Sequence, residues 1–290
     1  FIPFISPTQD RILTPREYRM VAPERCPGVP QVPQILSKNA GDSLWAIHTL
    51  RDMGYTHVDL NLGCPSGTVT AKGKGAGMLK TPDLLDRYLD ELFSGLSPEE
   101  HVSVKSRIGY ALPEEFDDIL AVYRKYPLEE LILHPRTKTE LYRGEIHEDL
   151  LAGLLSEETP WPVCPNGNIF NKERAEAVRT AFPRIHAVMM GRGLIADPGA
   201  MTDVTDEKER RRLLTSFTVD LFEAHLARLD ARNTIAYMKE IWFYQICLFD
   251  DADGKYGKRL KKATDVSEFR AAMRAVLTDL PMRAAVDDIT

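Results

Sequence analysis

Cys64 sits between Gly63 and Pro65, directly after the apolar run HVDLNL (57–62), and a glycine-rich stretch, SGTVTAKGKGAG (66–77), follows it. A thiol with an ordinary pKa near about 8.5 is mostly protonated at neutral pH, so a cysteine in such a loop can donate a proton. The glycines at 63, 67, 73, 75 and 77 suggest a mobile lid, with Lys72 and Lys74 either meeting an anionic substrate or lying on a solvated surface loop. The spacing of GKGAG is not that of a dinucleotide-binding fingerprint. Cys26, Cys164 and Cys247 read as small buried hydrophobes; no two of the four cysteines form a CxxC pair, and none has zinc-site spacing. Lys105 is a lone lysine inside the strand-like HVSVKSR (101–107). A buried lysine requires an anionic partner or a lowered pKa, and reduced flavin, with negative charge at N1/O2, is one ligand that would use it.

Other polar groups recur where apolar runs end. Gln34 lies in QVPQIL (31–36), Asn61 closes HVDLNL, His134 and Arg136 close ELILH (130–134), and Asn166-Gly167-Asn168 and Gly191-Arg192-Gly193 close the last two runs. Backbone N–H groups at the NGN and GRG turns, with the Arg192 guanidinium, suit a phosphate, and Gln34, Lys105 and His134 then lie along the rest of an extended ligand.

These positions imply a frame. Strands are expected near 1–5, 31–36, 57–62, 101–107, 130–134, 162–166 and 185–191, with helices near 41–53, 82–94, 113–126, 147–156 and 171–181. Thr81 is expected to cap the helix at 82–94, and Asn171 the helix that begins at Lys172. The strands read as apolar on nearly every residue, which predicts a parallel sheet covered on both faces. The fold class expected is α/β, a (β/α)8 TIM barrel with a C-terminal all-α helical bundle. Seven strands are counted where eight are needed, and residue 1 is Phe inside FIPFIS, so the first strand is expected to be missing from this sequence. The expected domains are 1–204, the barrel, and 205–290, the bundle, with apolar stripes through Phe217, Leu221, Phe222, Ala224 and Leu229 and through Ile235, Met238, Ile241, Trp242, Gln245 and Leu248. DDADG (250–254) reads as a turn and lacks the calcium-loop pattern.

The chain has 290 residues, 43% hydrophobic and 28% charged, as in an ordinary globular protein. Its net charge of −6 excludes a strongly basic protein but not RNA binding. Residues 205–290 hold 15 basic and 15 acidic residues, so the whole deficit lies in the barrel, and KYGKRLKK (255–262) packs five positive charges into eight residues. No apolar run reaches membrane-spanning length, and a reduced, cytoplasmic compartment is expected.

Taken in order, NLGCPSGTVTAKGKGAGMLK (61–80), VSVKSRIG (102–109), LILHPRT with YRG (131–144), VCPNGNI (163–169) and AVMMGRGLIADP (187–198) form a set that resembles the tRNA-dihydrouridine synthase family over about residues 31–200. The resemblance implies FMN, NADPH as electron donor and tRNA as substrate, with the 5,6 double bond of a uridine reduced. It implies Cys64 as the acid that protonates C5 and Asn61 on the uracil edge, with Arg136 and Arg143 assisting the substrate nucleotide. It places Gln34, Lys105 and His134 on the isoalloxazine and ribityl groups, and Asn166, Gly167, Asn168, Gly191 and Arg192 around ribityl and phosphate. No metal, membrane or stable protein partner is expected. The chain departs from the family pattern at Pro135, where glycine is usual, and at Asn168, where an acid is usual, and it has no counterpart of the first Ala-Pro-Met-like strand. A flavin barrel acting on a small pyrimidine or other activated alkene, and a non-catalytic RNA-binding protein of the same shape, are the alternatives.

Overall fold

A computed structural model describes residues 1–250 and 254–289. Its sheet is built of β1 (Gln34–Ile35), β2 (His57–Leu62), β3 (His101–Gly109), β4 (Leu131–Thr137) and β5 (Val163–Pro165), all parallel and neighbouring in chain order. A doubly wound sheet reverses its strand order at a switch point; this one winds in a single direction, as barrel sheets do. The strands expected near 1–5 and 185–191 are each reduced to a single parallel bridge, Ile5 to Ile35 and Asn166 to Met189. The described strands therefore establish an α/β parallel sheet without showing eight strands or a closed ring.

The helices are α1 (Pro15–Val21), α2 (Ala40–Asp52), α3 (Gly67–Thr70), α4 (Pro82–Ser94), α5 (Phe116–Tyr123), α6 (Glu148–Ser156), α7 (Lys172–Ala181), α8 (Arg192–Ala196), α9 (Glu207–Leu226), α10 (Ala231–Gln245), α11 (Lys255–Lys262) and α12 (Val266–Asp279). Of these, α1, α3, α8 and α11 are not among the expected elements. α1 starts on a complete capping box: Thr14 accepts from the Glu17 N–H while Glu17 reaches back to the Thr14 N–H. Asn171 caps α7 as expected, accepting from the Arg174 N–H at 2.7 Å. Thr81 stands at the start of α4 but makes no side-chain cap bond there. Most of the turn expected at 250–254 lies outside the described residues.

The chain divides into two compact units: Phe1–Gly167 with Phe182–Met189, and Asn168–Ala181 with Met190–Thr290. This division differs from a boundary at 204/205, since α7 and α8 group with the tail helices. In the first unit Val58, Leu60 and Leu62 of β2 and Val102 and Val104 of β3 share one core with Ile47 and Leu50 of α2 and with Leu85, Leu89 and Leu92 of α4. The strands are not apolar throughout. Asp59 and Asn61 in β2, and Ser103, Lys105 and Arg107 in β3, lie on one face, opposite a face that is apolar except at Ser106, which is buried against the Tyr123 hydroxyl.

In the second unit the buried line of α9 is Leu214, Thr218 and Phe222; Phe217 and Ala224, expected in it, are exposed. Phe222 stacks on Phe269 of α12 at 5.8 Å between ring centroids, and α10 adds Ile235, Met238 and Trp242. Phe222 is fully buried, so Phe222→Ala is expected to cost about 3–5 kcal/mol through lost burial and the cavity left behind. A urea denaturation curve measures this, with loss of the second unit's cooperative transition as the extreme outcome.

Candidate active site at the strand ends

The register brings the polar residues together. Gln34 pairs with Asp59 across β1 and β2, Asp59 with Ser103 across β2 and β3, and Asn61 with Lys105. Asp59, fully buried, accepts from Gln34 Nε2 at 2.7 Å and from Ser103 Oγ at 2.9 Å. Burial pushes its carboxyl up to about 7, against the pull of these hydrogen bonds and of the Lys105 charge. Burial likewise lowers the Lys105 ammonium to about 8, with Asp59 as its principal counter-charge. Lys105 Nζ donates to Asn166 Oδ1 at 2.9 Å, and Asn166 Nδ2 donates to the Met189 carbonyl at 2.8 Å, which ties β3, β5 and the 189 bridge together.

Asn61 shapes the turn that carries Cys64. Its Nδ2 donates to Gln34 Oε1 at 2.6 Å, and its Oδ1 accepts the backbone N–H groups of Gly63 and Cys64 at 3.2 and 2.9 Å. Asn61 is thus held at both ends by the protein itself, where a uracil-edge contact was expected. Cys64 is partly exposed, and its carbonyl accepts from the Ala76 N–H at 3.1 Å. The following segment is folded: α3 and a 3-10 turn, Gly75–Lys80, with Ala76, Met78 and Leu79 buried. Gly75 has φ +57°, and a Cβ there would lie 2.9 Å from both Cβ and O of Cys64. Where a mobile lid was expected, the segment is folded, and Gly75 permits its close packing against the cysteine turn. Lys74 is drawn inward to Ser6 Oγ at 2.9 Å, and Lys72 is exposed.

Arg107, near the end of β3, is 1% exposed. Its guanidinium donates to the carbonyls of Gly63 (3.0 Å), Thr137 and Leu141 (both 2.7 Å), fastening the cysteine turn to the end of β4. On β4, buried Arg136 donates to His134 Nε2 at 3.2 Å and to the Gly144 carbonyl at 2.7 Å. An arginine can only donate, so His134 Nε2 accepts. Gly167 has φ +112°, and a Cβ there would stand 3.0 Å from the His134 ring, so glycine leaves that imidazole room. Arg143 is exposed.

The residues expected around a phosphate divide between the units. Asn166 and Gly167 belong to the first. Asn168, Gly191 and Arg192 belong to the second, where Arg192 donates to Asn168 Oδ1 at 3.3 Å and to the Ile289 carbonyl at 2.6 Å and lies over the Phe170 ring. Of the two glycines flanking Arg192, Gly193 is the one packing demands, because a Cβ there would overlap the Phe170 backbone at 2.5 Å; Gly191 has open space. Of the other cysteines, Cys164 is buried and its thiol is pushed up by burial, while Cys26 is exposed rather than buried and Cys247 is partly buried.

Asp59 and Arg107 escaped the sequence reading. The available signal was alternation: Asp59 and Asn61 lie two apart, as do Ser103, Lys105 and Arg107, so each set lines one face of its strand. Among the described residues no helix is long and apolar enough to cross a membrane, and no group of three or more His, Cys, Asp or Glu side chains is placed to hold a metal ion.

The family model described as dihydrouridine synthase matches residues 7–280. A tRNA-dihydrouridine(16) synthase of Shigella flexneri is 33% identical over 168 residues, which are 58% of this chain and 51% of that protein. The protein of the same name from Escherichia coli strain K12 gives the same figures. A probable tRNA-dihydrouridine synthase of Staphylococcus aureus strain N315 is 32% identical over 182 residues, 61% of this chain and 53% of that protein. The matches therefore span about half the length of these relatives.

Arg107→Met removes the donor from three backbone carbonyls and is expected to destabilise the first unit by at least about 2 kcal/mol; a change within about 0.5 kcal/mol on urea denaturation, the range of an ordinary surface substitution, would overturn this account. For Lys105 the folded pKa of about 8 lies below the unfolded value of about 10.4. Burying the ammonium therefore costs stability at neutral pH, and that cost is relieved as pH rises from about 8 toward about 10.4. The stability of Lys105→Met relative to the parent should accordingly fall over that window, measured by denaturation at each pH.

Proposed function

The chain belongs to the dihydrouridine synthase family, and from that premise we propose that it reduces the 5,6 double bond of a uridine in tRNA. The observation that carries the reading is a cysteine fixed on a hydrogen-bonded turn at the carboxyl end of β2, with a partly buried lysine on the neighbouring strand β3. The relatives' names support the substrate.

FMN is the proposed cofactor and NADPH its proposed reductant; when bound, the flavin supplies the hydride that reaches C6 of the uracil. The donor set fits such a group. Lys105 spends one N–H on Asn166 and is a cation suited to the electron-rich N1/O2 edge of a reduced flavin. Gln34, His134 and Asn166 stand on other strands of the same sheet, and the missing Cβ of Gly167 leaves space beside the His134 ring. In this reading the sheet is part of an eight-stranded barrel. Asn168, Gly191 and Arg192 are proposed to hold the ribityl and phosphate groups, which requires Arg192 to exchange the Ile289 carbonyl for phosphate oxygens.

Cys64 acts as the proton donor. Hydride addition at C6 leaves excess electron density at C5, and transfer of the thiol proton to C5 completes the reduction and leaves a thiolate to be reprotonated from solvent. Asn61 holds the cysteine turn and has one N–H unspent for the uracil edge. Arg136 and Arg143 are proposed to meet the nucleotide. Residues 205–290, with the basic helix α11, are proposed to bind the tRNA backbone, and the enzyme is placed in the cytoplasm.

Cys64→Ala should retain the yellow flavin spectrum and tRNA binding while dihydrouridine, measured by mass spectrometry of digested tRNA, falls at least about 100-fold, as expected for loss of a general acid. Activity within about threefold of the parent would falsify the acid assignment. A colourless intact protein that takes up no added FMN would sink the flavin reading.

A further inference from the structure

We infer that Asp59 is a positioning residue for Cys64, acting through Gln34 and Asn61. The inference deepens the reading of Cys64 as proton donor and, for its effect on turnover, rests on it; the hydrogen-bond chain itself does not.

Donor and acceptor directions run one way along the chain. In its ionised form, which the Lys105 charge favours, Asp59 only accepts, so both side chains that reach it donate. Ser103 Oγ does so at 2.9 Å and Gln34 Nε2 at 2.7 Å. With its nitrogen committed to Asp59, the Gln34 amide presents Oε1 to Asn61 and receives Asn61 Nδ2 at 2.6 Å. With its nitrogen committed in turn, Asn61 presents Oδ1 to the backbone N–H groups of Gly63 and Cys64, at 3.2 and 2.9 Å. The far end imposes the same direction, because the backbone N–H groups of Gly63 and Cys64 can only donate to Asn61 Oδ1. A flipped Asn61 would point its NH2 at two backbone donors and leave both without an acceptor in a buried turn. Asp59, fully buried at the other end, anchors the Gln34 amide in the one orientation that agrees with this. Each link is enclosed: Gln34 is 8% and Asn61 9% exposed, so water has little access to substitute for either amide.

A second explanation of Asp59 is charge alone, since it is the principal counter-charge of Lys105. The two explanations separate on Asp59→Asn, which removes the charge but keeps an oxygen for Gln34 while its amide nitrogen meets the Ser103 hydroxyl as acceptor. Asp59→Leu removes charge and acceptor together. Gln34→Met cuts the chain one link later and leaves Asp59 with Ser103, so the question survives if Asp59→Leu does not fold.

The test is amide exchange at Gly63 and Cys64 by NMR, on full-length protein without substrate, with the β3 ladder amide of Val104 as the monitor of global opening. Asp59→Leu and Gln34→Met are expected to speed exchange at Gly63 and Cys64 at least about tenfold relative to Val104, and Asp59→Asn to stay within about threefold of the parent. Unchanged Gly63 and Cys64 exchange in Gln34→Met, or an Asp59→Asn that loses protection as fully as Asp59→Leu, would overturn the inference. In a turnover assay Asp59→Leu should lower kcat with KM little changed and Asp59→Asn should stay near the parent, while Gln34→Met is read by exchange alone because Gln34 also belongs to the proposed flavin set. If the protein makes no dihydrouridine at all, the proposed function fails while the exchange result still decides the chain.

Discussion

Burying charge on the polar face of a parallel sheet is the constraint around which the first unit is arranged. Asp59 and Lys105 lie on neighbouring strands, and neither can stay ionised in the interior without partners. Each is therefore met by named groups: Asp59 by Gln34 and Ser103, Lys105 by Asn166. Those partners come from β1, β3 and the end of β5, so satisfying two charges fixes the register of strands distant in sequence. Slipping β2 by one residue would turn Asp59 and Asn61 into the apolar core and Leu60 and Leu62 onto the polar face. The polar face thus selects one register as firmly as the apolar face does.

The same network holds the reactive turn. Asn61 Oδ1 gathers the N–H groups of Gly63 and Cys64, Arg107 takes the Gly63 carbonyl, and the Ala76 N–H takes that of Cys64. The backbone around the thiol is bound from three directions by β2, β3 and the 3-10 turn. Preorganisation of this kind removes the cost of orienting a proton donor at the moment of reaction. It also explains why a segment so rich in glycine is ordered: Gly75 and Gly77 are sites where a Cβ would strike Cys64 or Thr70, so their smallness serves contact.

What could be read in the sequence was what stands out by type against its neighbours. Cys64 between glycine and proline, Lys105 in an apolar run and the polar strand ends were visible because each is locally anomalous. Five strands and most helices were visible from apolar runs and caps. The outer two strands shrank to single bridges because pairing depends on a neighbouring strand as well as on composition. Asp59 was missed because HVDLNL was read as one apolar run, when its period of two separates a polar face from an apolar one. The Asn61 partners are backbone amides, which no motif records, and Arg192 meets Ile289 from 97 residues away. The folded α3 and 3-10 turn were not legible because glycine content alone does not show what each glycine approaches.

Charge shows the same gap between a sum and an arrangement. Residues 205–290 are neutral in total, yet their charges are unevenly spent. On α9 and its neighbours, Arg211 meets Glu207, Arg212 meets Glu209, Arg270 meets Glu223 and Arg283 meets Asp250. These close pairs cancel locally and contribute little field beyond a Debye length of about 8 Å at physiological salt. On α11, Lys255, Lys258, Arg259 and Lys262 recur at helical spacing and line one shallow concavity, with Glu268 as the acid at its edge. A polyanion responds to that local potential and not to the total, since each phosphate neutralised releases counterions at the point of contact. A chain of net charge −6 can therefore still carry a local cationic surface where α11 gathers its basic residues.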